Sequence, residues 1–112
     1  MTTQYTVQES GQIAKTILNQ MGGMNSLVSM VSASNFGFEE FDGQVSLKFN
    51  FKGSRKHNLC KVILDPDDTY TFQLWKINMS TATCNITHES TGVYCDMLID
   101  LFESQTDLFL SL

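Results

Sequence analysis

Proline is almost missing from this chain of 112 residues, where Pro66 is the single one, and charged residues make up only 17%. Such scarcity excludes polyproline spacers, and with no Gly/Ser-rich tract nothing marks a linker between domains. Histidine occurs twice and cysteine three times. Cys60, Cys84 and Cys95 form an odd set without paired spacing, which argues against a disulfide framework and reads as reduced, mostly buried thiols. With His57 and His88 they fall short of the clustered ligands of a zinc site, Cys84 and His88 being the only suggestive pair, and no metal is expected.

Long apolar runs are lacking as well. None approaches the roughly 18 residues that a membrane-spanning helix needs. The first residues, Met1-Thr2-Thr3-Gln4-Tyr5-Thr6, carry neither the basic cluster nor the apolar stretch of a secretory leader. The expected location is therefore cytoplasmic. Asn78-Met79-Ser80 and Asn85-Ile86-Thr87 fit the glycosylation pattern, which means little without a secretory route. Gly-x-Ser-x-Gly, His-Glu-x-x-His, Walker and dinucleotide signatures are absent too, so neither an enzyme nor a cofactor is predicted.

What is present suffices for one core. Apolar residues make up 42% of the chain, and eight phenylalanines are spread along it. That is enough apolar surface to offset chain entropy, and residues 1–112 read as a single domain of common size. The net charge is −5 with a pI near 4.7, which disfavours a sequence-independent hold on nucleic acid. Its distribution is uneven. Lys48, Lys52, Arg55, Lys56 and Lys61 supply five of the seven basic residues, whereas Glu39, Glu40, Asp42 and the C-terminal region are acidic.

Thr6-Val7-Gln8-Glu9 is a capping-box pattern, and Val7, Ala14, Ile17, Leu18 and Met21 follow at helical spacing until Gly22-Gly23 stops the helix. Asn25 or Ser26 is placed to cap a second short helix through about residue 32, with Leu27, Val28 and Val31 inward. From residue 36 the period becomes two. Val45, Leu47, Phe49 and Phe51 alternate with polar residues, Cys60, Val62 and Leu64 resume after a loop at Gly53-Ser54, and Tyr70, Phe72 and Leu74 return after the Asp65-Pro66-Asp67-Asp68 turn. Trp75 and Ile77 fall on the other face of this strand, so a helix or a second sheet is expected over them. Thr81 to Thr87 reads as a further strand. Ser90 or Thr91 is placed to cap a last helix with Tyr94, Met97, Leu98, Leu101 and Phe102 as its apolar stripe. The fold class is α+β: an N-terminal helix or helix pair, an antiparallel sheet of about four strands, and a C-terminal amphipathic helix packed on it.

Two charge patterns are candidate sites. Asp96, Asp100, Glu103 and Asp107 share one helical arc opposite the apolar stripe. That arc is either the solvated face of an amphipathic helix or, with Glu39, Glu40 and Asp42, a surface that docks onto a basic partner. Lys52-Gly53-Ser54-Arg55-Lys56-His57-Asn58, with Lys48 and Lys61 beside it, is either a solvated loop or a phosphate-holding segment for nucleic acid. Cys95 with His88 would make a thiolate pair, but Cys95 near the apolar face reads as a small core residue.

From about Gly22 to its end the chain resembles a family of small uncharacterised proteins of phages and related mobile elements. The matching stretches are Gly22-Gly23, Asn35-Phe36, Leu64-Asp65 through Asp68-Thr69-Tyr70, Lys76-Ile77, Gly92-Val93-Tyr94-Cys95-Asp96-Met97-Leu98, and Phe102-Glu103 with Thr106 and Leu108-Phe109. It departs at Ser34, where members tend to carry Lys, and at Asp107, where they tend to carry Gly. The first change removes a positive charge and weakens a nucleic-acid reading. The resemblance implies origin rather than activity. It points to an accessory protein of the host bacterial cytoplasm that binds and inhibits a host protein or protein–nucleic-acid complex, in the manner of anti-CRISPR proteins. The alternatives are an accessory nucleic-acid-binding protein and a virion-associated oligomer.

Overall fold

Where the apolar period is 3.6 the chain coils, and where it is two the chain extends. The computed structural model describes residues 7–41 and 43–110. Thr6 of the expected capping box and Asp42 of the acidic group lie outside the described residues. Two helices come first, α1 (Val7–Gln20) and α2 (Met24–Val31). Ala14, Ile17 and Met21 are buried on one side of the first segment. Gly22 and Gly23 take φ of 104° and 88°, which a side chain would resist, and the Gly23 amide donates to the Leu18 carbonyl. The reversal is so tight that Gly23 itself caps α2. Asn25 and Ser26, expected as caps, therefore lie inside its first turn. Leu27 and Val31 point inward, whereas Val28, also expected inside, is 47% exposed.

Five strands follow: β1 (Ser34–Phe41), β2 (Gln44–Asn50), β3 (Leu59–Leu64), β4 (Tyr70–Asn78) and β5 (Thr83–Val93). They form one antiparallel meander in the order β1-β2-β3-β4-β5. The β3–β4 hairpin closes as its turn chemistry dictates. Asp65 N–H donates to the Thr69 carbonyl, and the Asp67 carboxylate accepts from both the Thr69 amide and hydroxyl.

Register stacks the core in rows. Leu47 lies opposite Val62, which lies opposite Phe72; Phe49, Cys60 and Leu74 make the next row. These residues form one buried cluster with Ile17, Met21, Leu27, Val31, Leu98 and Phe102. All three helices thus serve the same side of the sheet, and its other side stays open. α3 (Leu98–Thr106), entered through a 3₁₀ turn at Cys95–Met97, is held there by Phe102. The Phe102 ring sits 5.0 Å from Phe51 and 6.3 Å from Phe49, centroid to centroid.

The sheet has one strand more than the expected number, and β5 is longer than its local pattern suggests. Pairing with β4 continues as far as Val93 opposite Tyr70, so Ser90 and Thr91 are strand residues rather than helix caps. The helical phase begins later in consequence, and Tyr94 and Met97 stand 61% and 44% exposed instead of filling the apolar stripe. Among the described residues neither a helix nor a second sheet covers Trp75 and Ile77. Both are half-buried among their cross-strand neighbours, and the Trp75 indole N–H donates to Gln73 Oε1 at 3.1 Å, which satisfies its polar tip.

Truncating Phe102 removes the ring that joins α3 to the sheet. Phe102→Ala is expected to cost about 3–5 kcal/mol in denaturant unfolding, whereas Phe109→Ala, at a position 66% exposed, is expected to stay within about 0.5 kcal/mol.

Candidate functional site

Antiparallel register splits the basic segment. Lys48 of β2 lies directly opposite Lys61 of β3 on the open face, a like-charge pair that would repel if left alone. Glu39 of β1 lies between them in charge terms. One carboxylate oxygen pairs with Lys48 and the other lies 3.9 Å from the Lys61 ammonium. The Lys48 hydrogen bond holds the Glu39 carboxyl below its ordinary value, helped by the charges of both lysines and opposed by desolvation. Glu39, expected as part of an acidic contact, and Lys48 and Lys61, expected as part of a basic one, are thereby spent on one another. Glu40 is exposed, and no ion pair to it exists among the described residues.

Lys52, Arg55 and Lys56 keep their charge unpaired among the described residues and stand exposed in the loop between β2 and β3. The ends of this loop are tied down. Phe51 N–H donates to the Asn58 carbonyl, Lys52 N–H to Val31 and Asn58 N–H to Trp75. The Asn58 carboxamide brackets the Ile77 backbone, donating to its carbonyl and accepting from its amide, each at 2.8 Å. Gly53 has φ 106°, and a Cβ there would stand 2.9 Å from Leu108.

His57 closes the loop from inside. It is buried, with Nδ1 2.6 Å from the Thr87 hydroxyl oxygen, and that hydroxyl donates to the Leu74 carbonyl. With the hydroxyl proton so committed, Nδ1–H is the donor in the His57–Thr87 bond. Burial pushes the imidazole pKa down; a backbone hydrogen bond to Gln105 opposes this, and the charges of His88, Lys56 and Lys76 reinforce it.

The four acidic residues expected to share one helical arc fall on unlike parts of the structure. Asp96 belongs to the 3₁₀ turn, Asp100 and Glu103 to α3, and Asp107 takes the left-handed position that ends the helix, with φ 59°. Glu103 does a structural task, because its carboxylate accepts the Leu110 amide at 2.8 Å. Asp96, Asp100 and Asp107 are exposed without a cation among the described residues. Interleaved with them are Tyr94, Met97 and Phe109, all largely exposed. Helical spacing alone places the first two inside; the β-branched and polar run 85–93, which extends the strand and delays the helix, is the signal against it.

Thiol chemistry divides as well. Cys60 is fully buried, which drives its pKa well up. Cys84 and Cys95 are exposed, contrary to the expectation of mostly buried thiols. Cys84 lies on the outermost strand, and Cys95 sits in the turn before α3 rather than on its packed face. Among the described residues no group of His, Cys, Asp and Glu is arranged to hold a metal ion, and no helix is long and apolar enough to cross a membrane. The fold defines an α+β protein, a five-stranded antiparallel meander with helices on one face. No family model, curated protein or solved structure matches the chain.

His57 gives stability a pH dependence of known sign. Its folded pKa lies below the ordinary 6.5, so the unfolded chain takes up the proton first. Its contribution is complete above the unfolded value and is lost as pH falls towards the folded one. The thermal unfolding midpoint is expected to drop between about pH 7 and about pH 5.5, and His57→Gln is expected to flatten that drop. Glu39 and Asp67, whose pKa values are lowered from 4.5 and 3.8, act only at more acid pH.

Proposed function

We propose that this chain is a non-enzymatic interaction protein of a phage or related mobile element that works in the bacterial cytoplasm by binding and blocking a host factor. The target class is a protein or protein–nucleic-acid complex with a basic surface, as for anti-CRISPR proteins. One observation carries the choice of contact surface. The segment from Tyr94 to Phe109 carries the carboxylates of Asp96, Asp100 and Asp107, unpaired among the described residues, together with exposed Tyr94, Met97 and Phe109. Aromatic and methionine side chains supply the desolvated centre of protein interfaces, while carboxylates around them steer a cationic partner and exclude an anionic one. The resemblance to phage proteins supports the origin, and the absence of catalytic signatures from the sequence supports a binding role.

Accessory nucleic-acid binding is the second reading. It is favoured by Lys52, Arg55 and Lys56, which are unpaired among the described residues and share one anchored loop. It ranks second because Lys48 and Lys61 are engaged with Glu39. Salt-sensitive retention of DNA or RNA that disappears when these three cations become Gln would move it to first place.

Charge reversal separates the readings. Tagged protein is to be captured from a phage-susceptible bacterial lysate after nuclease treatment, beside an Asp96→Lys/Asp100→Lys variant that spares the structural Glu103. The wild type is expected to retain a stoichiometric protein partner and the variant to lose it with an unchanged unfolding midpoint; Tyr94→Ala or Phe109→Ala is expected to weaken the complex by about 2 kcal/mol. Full retention and inhibition by the reversed variant would remove this segment from consideration.

A further inference from the structure

Where β1 begins, the chain leaves a cleft against the β2–β3 loop. Its volume is about 440 Å³, within the range of roughly 300–1,000 Å³ typical of small-molecule sites. Ser34 and Asn35 from the start of β1, Asn50 from the end of β2, and Lys52, Ser54 and Asn58 from the loop are among the residues that line it. We propose that this cleft binds a phosphate-bearing small molecule of the size and chemistry of a nucleoside monophosphate.

The sign of the cleft comes first. In a chain of net charge −5 the described residues that line it include no carboxylate, and the one charged group among them is the Lys52 ammonium. That ammonium has no ion-pair partner among the described residues. A lysine is a compact, mobile charge suited to phosphate oxygens. Arg55 and Lys56 follow on the same anchored loop and add to the local potential.

Unspent hydrogen-bonding capacity comes second. The Asn35 and Asn50 carboxamides and the Ser34 hydroxyl have no partner among the described residues. Ser54 Oγ accepts the Lys56 and His57 amides, each at 3.3 Å, and so keeps its own O–H proton to donate. Hydroxyl and ammonium donors match a phosphate. Carboxamides, which both donate and accept, match the mixed edge of a heterocyclic base. Inorganic phosphate alone would leave the carboxamides and most of the volume unused.

Rigidity comes third. Asn58 is locked to the Ile77 backbone, the Lys52 and Asn58 amides are bonded to Val31 and Trp75, and the Phe51 amide is bonded across the loop to Asn58, so the loop side of the cleft is set before a ligand arrives. This site adjoins the acidic segment where Leu108 approaches Gly53 but shares no lining residue with it, and it does not rest on the inhibitor reading.

The test is a titration of the full ¹⁵N-labelled chain, followed by amide chemical shifts, with each common ribonucleoside monophosphate, with inorganic phosphate and with a short single-stranded oligonucleotide. A mononucleotide is expected to give saturable shifts centred on residues 34–35, 50–54 and 58, with tighter binding than inorganic phosphate. Lys52→Gln, at an exposed position, is expected to weaken binding about tenfold or more while leaving the rest of the spectrum unchanged. Asn50→Ala is expected to reduce the preference for nucleotide over inorganic phosphate. Four outcomes would overturn the proposal: no saturable response to any mononucleotide at millimolar concentration, shifts centred elsewhere, equal affinity for inorganic phosphate, or a response only to the oligonucleotide.

Discussion

Phe102 is the side chain whose placement organises this molecule. Its ring meets Phe49 in the middle of the sheet and Phe51 at the start of the β2–β3 loop, so a single aromatic cluster ties the last helix to the sheet and to the loop together. Docking α3 at that point sets its phase, which turns Asp100 outward and carries Leu108 onto Gly53. It also brings the Gln105 backbone to His57. Buried aromatic area supplies the driving force, at about 25 cal/mol per Å² removed from water, and the polar contacts then specify the arrangement at little net gain of their own.

The charge distribution is a product of the pleat and the register. Residues 48–61 look like one basic stretch along the chain. In three dimensions Lys48 and Lys61 lie on the open sheet face, where both pair with the one Glu39 carboxylate, and Lys52, Arg55 and Lys56 lie on a loop beyond the strand. Among the described residues the loop keeps three unpaired cations and the segment from Asp96 to Asp107 three unpaired carboxylates, brought close where Leu108 approaches Gly53. Exposed ion pairs such as that of Glu39 contribute little to stability. Their consequence here is to decide which charges remain free to meet a partner.

Open surface also follows from the architecture. A meander with all its helices on one side leaves the other side to be finished by its own side chains. Gln73 and Ser46 are buried there without a covering layer, and Gln73 links the Trp75 indole to Glu89. This polar chain lets a large aromatic sit on an uncovered face, since its N–H is already paired and its ring lies against neighbouring strands.

Local signals along the chain specify α1 with its glycine stop, the alternation in β2, β3 and β4, the Asp-Pro-Asp-Asp hairpin, and the burial of Leu98 and Phe102. Each depends on residues a few positions apart, so period and turn chemistry suffice to read it. Tertiary structure alone decided the rest. β1 owes its existence to pairing with β2, because Glu39 and Glu40 break its alternation. β5 runs on to Val93 because β4 offers partners that far, and this displaced the start of α3 and exposed Tyr94, Met97 and Cys95. Lys48 and Lys61 meet Glu39, and Asn35 meets the β2–β3 loop, through strand register. Such neighbours lie far apart along the chain, and their proximity is fixed by pairing between strands, which no local pattern encodes.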